Sequence, residues 1–156
     1  MLTAAVLLAA FLAALFWLER PWFAALIGVV MAVAGYEWGR LAGLARGAPL
    51  YGGATASVYA ALVWAWYPLA PADPQLAAVF AASGLFWLIL APAWLRRGPL
   101  RPGKPLLAAT GTFVLVPTGL AALALPADRL LLALGLVWLA DTAAYFAGRA
   151  FGRHKL

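Results

Sequence analysis

Apolar residues fall into six long blocks separated by short polar breaks. The blocks are Leu2–Leu18, Pro21–Trp38, Leu50–Ala70, Leu76–Leu95, Leu106–Leu125 and Leu130–Gly148. Each approaches the roughly 20 residues that carry a helix across a bilayer core. With no water at that depth, a spanning backbone must bond to itself, so the helix is the form such blocks take. The pattern predicts an all-α polytopic membrane protein of about six transmembrane helices in a single membrane-embedded domain covering residues 1–156. The breaks support this division. They are Glu19 to Pro21, Arg40 to Pro49, Pro71 to Pro74, Arg96 to Pro105 and Pro126 to Arg129, with prolines where helices start or cannot continue. The first two blocks nearly abut, which predicts a helical hairpin. The first has no basic n-region and is followed by five more, so it reads as a retained helix and not as a signal peptide.

Composition sharpens the picture. Of 156 residues, 67% are hydrophobic and 10% charged, far below the quarter that soluble chains carry. A soluble globule is excluded. There is no Cys and one His, which removes disulfides, thiol chemistry and Cys- or His-pair metal motifs. The net charge of +6 does not point to nucleic acid, because the basic residues punctuate apolar blocks and form no stripe.

Their distribution carries topology instead. Breaks after the second, fourth and sixth blocks hold Arg40, Arg46, Arg96, Arg97, Arg101, Lys104, Arg149, Arg153 and Lys155, and the remaining breaks hold only Arg20 and Arg129. Positive residues are retained on the cytoplasmic side. Both chain ends are therefore expected in the cytoplasm.

Two acidic residues lie within blocks. Asp141 is costly inside the sixth unless it is paired, hydrated, protonated or metal-bound, which makes it the first catalytic and metal-binding candidate. Trp138, Tyr145 and Gly148 share its helical face or lie near it. A purely structural role, bonding a neighbouring helix, is the competing reading. Beyond it, Arg149, Arg153 and Lys155 form a basic block able to hold a lipid or nucleotide phosphate; as a bare positive-inside anchor the same block needs no ligand. Glu37 lies near the end of the second block, where Arg40 at i+3 can pair with it. Gly35, Gly39, Gly43 and Gly47 recur every four residues, a strip that allows close helix packing. Glu37 and these glycines are read as structural.

The segment LVWLADTAAYFAGRAFGRHKL, Leu136 to Leu156, strongly resembles the "ADSGAY…GK.FGKHKL" block of bacterial phosphatidate cytidylyltransferases, the CDP-diacylglycerol synthases. YEWGRLAGL, Tyr36 to Leu44, is similar to their "EW..L" element. The resemblance implies a multi-pass protein of the bacterial inner membrane. It also implies transfer of a cytidylyl group from CTP to phosphatidic acid, releasing pyrophosphate, with Mg²⁺ as cofactor. Asp141 then matches the motif carboxylate, and Arg149, Arg153 and Lys155 match its basic positions. Membrane lipids are expected partners, nucleic acid is not, and a homodimer is compatible with the family. Members of the family start with a basic residue ahead of the first span and continue past "HKL" into further spans with Lys-Asp, His-Gly-Gly and Asp-Arg-x-Asp elements. On this reading the chain is an N-terminal portion, inactive alone, with the remaining metal ligands elsewhere. From another class, a small six-span transporter or channel would use Asp141 as an ion or proton site, although no internal repeat supports it.

Overall fold

The computed structural model describes residues 2–70, 72–96 and 102–152, and all regular structure among them is helical. Seven α-helices follow one another: α1 (Leu2–Trp17), α2 (Arg20–Leu41), α3 (Ala48–Trp66), α4 (Pro74–Leu85), α5 (Ala91–Arg96), α6 (Lys104–Ala124) and α7 (Ala127–Phe151). A π-helical turn, Phe86–Leu90, fuses α4 to α5 into one body, so six helical bodies correspond to the six apolar blocks. The wider turn has a local cause. Pro92 has no N–H and its ring crowds the carbonyl four residues back, and the Ala91 N–H reaches the Phe86 carbonyl five residues back.

Proline also starts helices. Pro21, Pro49 and Pro74 each occupy the first turn, where a missing N–H leaves no bond unmade. Pro117 is different, lying buried inside α6, where it removes one helical hydrogen bond.

Among the described residues, four bodies are long and apolar enough to cross a membrane: Arg20–Leu41, Pro74–Arg96, Lys104–Ala124 and Ala127–Phe151. The chain is a multi-pass membrane protein. The other two bodies fall short of the six-span expectation for physical reasons. Helix α1 has 16 residues, about 24 Å of helix against a core of about 30 Å. Helix α3 has 19, but Tyr51, Gly52, Gly53, Thr55, Ser57 and Tyr59 dilute its apolar character.

Two compact units divide the chain, Met1–Ala124 and Leu125–Leu156. The first is organised around α2, α3 and α6, which pack pairwise on one another. The closely packed hairpin is thus α2 with α3, in place of the expected α1 with α2. Small residues explain it: a Cβ on Gly35 would stand 3.0 Å from the Gly52 Cα and the Thr55 side chain, and a Cβ on Gly52 would press on the Ala32 carbonyl and the Tyr36 N–H. Backbones meet at that point, as small residues permit between membrane helices. Buried Phe23, Ile27, Met31, Tyr59, Leu120 and Leu123 fill the rest of this core.

The four-glycine strip does not run along one helix. Gly35 and Gly39 lie on α2 against α3, with Ala48 and Tyr51 beside Gly39. Gly43 ends α2 with φ +74°, its N–H bonding the Arg40 carbonyl while the Leu44 N–H bonds that of Gly39. This is a Schellman cap, and its left-handed residue is the position that glycine fills without strain. Gly47 immediately precedes α3.

The second unit is α7, a 25-residue helix with Asp128 in its first turn and Arg149 in its last. Both charges complement the helix dipole.

Candidate functional site

Helix α7 carries those candidate residues of the last apolar block that the structure describes. It extends one turn beyond the predicted block, to Phe151, so Asp141 lies ten residues, about 15 Å, from the helix end. Asp141 is exposed on this helix, and Tyr145 and Phe146 are exposed beside it with their rings edge to face at 5.5 Å. Tyr145 and Gly148 follow Asp141 on the same face. Arg149 is eight residues on, about 12 Å along the axis, in the last turn of the helix. Within its own unit, no described cation lies within ion-pairing distance of Asp141. Arg153 and Lys155, the other two basic candidates, lie outside the described residues.

Among the described residues the donors are too few to enclose a metal by themselves. Mg²⁺ takes a near-octahedral set of oxygens, commonly one or two carboxylates with substrate phosphates and water. Among the described residues no three His, Asp or Glu side chains gather. On α7 the one other carboxylate is Asp128, thirteen residues or about 20 Å away. Asp141 is a single oxygen donor group, and no chemical step is assigned here to a metal.

The first unit has a polar end of its own, where α2 finishes and α3 and α6 begin. The Trp38 Nε1–H donates to the Leu107 carbonyl at 2.8 Å, and the Tyr51 hydroxyl donates to that of Ala108 at 2.7 Å. Thr112 Oγ1 stands 3.0 Å from the same hydroxyl. Glu37 and Arg40 form the expected i,i+3 pair at 3.7 Å, with side chains 57% and 59% exposed, and the Arg40 guanidinium sits 5.8 Å from the Tyr36 ring centre. A pair so exposed contributes little to stability. These contacts tie α6 to the α2–α3 hairpin and leave Arg40, Arg46 and Lys104 exposed around it. Sequence reasoning missed Trp38, Tyr51 and Thr112. The available signal was their polarity inside or beside apolar blocks.

At the opposite end of α2, Arg20 Nη2 donates to the Leu123 carbonyl of α6 at 2.9 Å. This contact too was invisible in the sequence, since its partners stand 103 positions apart.

A multi-pass α-helical membrane protein with one carboxylate inside its last long apolar helix and an arginine in that helix's last turn is the class that these features define. Residues 1–156 match the model of the cytidylyltransferase family, and the chain belongs to that family. It is 36% identical over 166 residues to the phosphatidate cytidylyltransferase of Pseudomonas aeruginosa, an alignment covering 99% of this chain and 58% of that protein. The chain thus spans less than two thirds of this relative's length. No solved structure matches the chain.

Proposed function

We propose that this chain is a membrane-embedded part of a phosphatidate cytidylyltransferase, acting with CTP and phosphatidic acid to make CDP-diacylglycerol and pyrophosphate. The carrying observation is the alignment of essentially the whole chain with a protein of that name. In this reaction a lipid phosphate oxygen attacks the α-phosphorus of CTP as the bond to pyrophosphate breaks. Negative charge accumulates on the transferring and leaving oxygens, so the site requires cationic donors placed near the lipid headgroup. Arg149, Arg153 and Lys155 are the groups proposed for the phosphates, Arg149 standing in the last turn of α7. Asp141 is proposed as the carboxylate at the reacting end of this face. On this reading α1 and α3 also cross, α1 by thinning the bilayer locally, which gives six spans with both ends of the chain in the cytoplasm, in keeping with the nine-to-two division of Lys and Arg. This puts the basic block on the side where CTP is available.

The test is a chimera in which these 156 residues replace the part of the Pseudomonas protein they match. Membranes carrying the chimera should convert labelled CTP and phosphatidic acid into CDP-diacylglycerol. A chimera that accumulates in the membrane, folded and yet silent, would remove the proposal. The 156-residue chain by itself should give no labelled lipid above a heat-killed control, because its described carboxylates do not gather.

A further inference from the structure

Long-range contacts fix how the helices of the first unit run. Arg20 bonds the Leu123 carbonyl and Trp38 bonds that of Leu107, so α2 and α6 are antiparallel. Helix α3 starts beside the Trp38 end, with Tyr51 on the Ala108 carbonyl, and runs back toward the Arg20 end, with Tyr59 on that of Ala24. The rings of Phe86 and Phe113 meet at 5.5 Å between the α4–α5 body and α6. From that contact Arg96 lies ten residues on and Lys104 nine residues back, about 15 and 14 Å of helix. Arg40, Arg46, Arg96 and Lys104 therefore share one end of the unit, and all four are exposed.

Three of these cations gather at the cap of α2. Lys104 Cε lies 3.6 Å from where a Cβ of Gly43 would stand. Arg40 is three residues before Gly43, in the last turn of α2, and Arg46 three residues after it, in the 3₁₀ turn Ala45–Gly47, so at most about 10 Å of chain separates either from the cap. Opposing charge is sparse. Among the described residues at this end Glu37 is the one carboxylate, and its pair with Arg40 at 3.7 Å is exposed, so little is lost when it opens. The other end is balanced, Arg20 standing with Glu19 and Asp73. Exposed leucines flank the cations: Leu41 beside Arg40, Leu95 beside Arg96 and Leu106 two residues from Lys104. A free anion has no use for them, whereas a lipid brings a phosphate and an apolar body together.

We infer that this end of the first unit binds an anionic phospholipid, its headgroup phosphate held by Lys104, Arg46 and Arg40 and its tails lying along the exposed leucines. Basic clusters between membrane helices hold such headgroups. Glu37 is the counterion that the phosphate displaces from Arg40, and Arg96 adds to the attraction. All of these residues belong to the first unit. The inference rests on the membrane-spanning character of the helices and not on the proposed enzymatic activity, for this lipid is bound and not consumed.

The full chain is purified in mild detergent with equal amounts of phosphatidylglycerol and phosphatidylcholine of one acyl length, and the lipids it retains are counted by native mass spectrometry. Phosphatidylglycerol should be retained several-fold over phosphatidylcholine. Arg46→Gln and Lys104→Gln should each lower that preference about fivefold, while Lys104→Arg, which restores the charge, should keep it. Glu37→Gln, which removes the competing carboxylate, should raise it. Arg129→Gln, at an exposed cation of the second unit, should leave it unchanged. Equal retention of the two lipids by the unsubstituted chain overturns the inference. So does a loss in Arg129→Gln as large as that in Lys104→Gln, since net charge and not this cluster would then attract the lipid. A preference abolished by millimolar inorganic phosphate overturns the assignment to a lipid, the site then taking phosphate without an apolar body.

Discussion

The Trp38 indole occupies the space beside α6 where a side chain at Gly111 would stand, and from there its N–H donates to the Leu107 carbonyl at 2.8 Å. A bulky aromatic on one helix and an absent side chain on another form a single fitting. The Tyr51 hydroxyl borders the same point, 2.6 Å from where the Gly111 Cβ would be. Both aromatic groups are tied to α6 carbonyls, so neither can move aside freely.

Gly111→Ala is accordingly expected to destabilise the chain by about 1–3 kcal/mol, the usual cost of forcing extra volume into a filled contact. Trp38→Phe alone should cost about 1 kcal/mol through the lost hydrogen bond. The double variant should lose less than the sum, because the smaller ring makes room for the new methyl. Thermal unfolding in detergent measures all three. Strict additivity would show that the two residues do not share this space.

At the α2–α3 contact two adjacent glycines make a sharp contrast. Gly52 faces the Ala32 carbonyl and the Tyr36 N–H, whereas nothing stands within 4 Å of the Gly53 position. Gly52→Ala must push two backbones apart and should be clearly destabilising, unlike Gly53→Ala. The latter should be neutral or slightly stabilising, since alanine is the better helix former by up to about 1 kcal/mol. Equal effects in thermal unfolding would contradict the close approach.

The helical bodies were legible because their ends are written in local chemistry: proline in the first turn, charge in the breaks, glycine at a left-handed cap. What escaped was pairing at long range. Nothing in the order of residues tells Trp38 to meet Leu107, or Arg20 to meet Leu123. Adjacency of the first two blocks suggested a hairpin of α1 with α2, whereas the packing is set by small residues, and Gly35, Gly39 and Gly52 put α3 there instead. The glycine spacing of four misled in another way, for a period alone does not reveal that α2 ends at Leu41. Asp141 was legible as a candidate because a carboxylate in an apolar block is costly wherever its neighbours lie.

Topology is testable directly in this Cys-free chain. A cysteine at Ala72 should react with an impermeant thiol reagent applied outside intact cells, and one at Gly103 should react only after the membrane is opened. The reverse pattern would invert the orientation drawn from Lys and Arg.

The charge of Asp141 can be tested in the chimera with the Pseudomonas relative. Asp141→Asn preserves size and hydrogen-bonding capacity and removes the charge. If the charge acts on the reacting phosphates, turnover should fall by orders of magnitude with little change in the folded yield, as for an electrostatic catalytic group. Arg149→Ala should act differently, mainly raising the apparent KM for lipid or nucleotide, because a phosphate held alike in ground and transition states contributes binding without lowering the barrier. A structural Asp141 gives the opposite result: the amide would still bond a neighbouring helix, and turnover would stay near normal. Turnover and detergent-solubilised yield, measured on the same preparations, separate the two. An Asp141→Asn chimera that keeps most of its activity takes Asp141 out of the catalytic site.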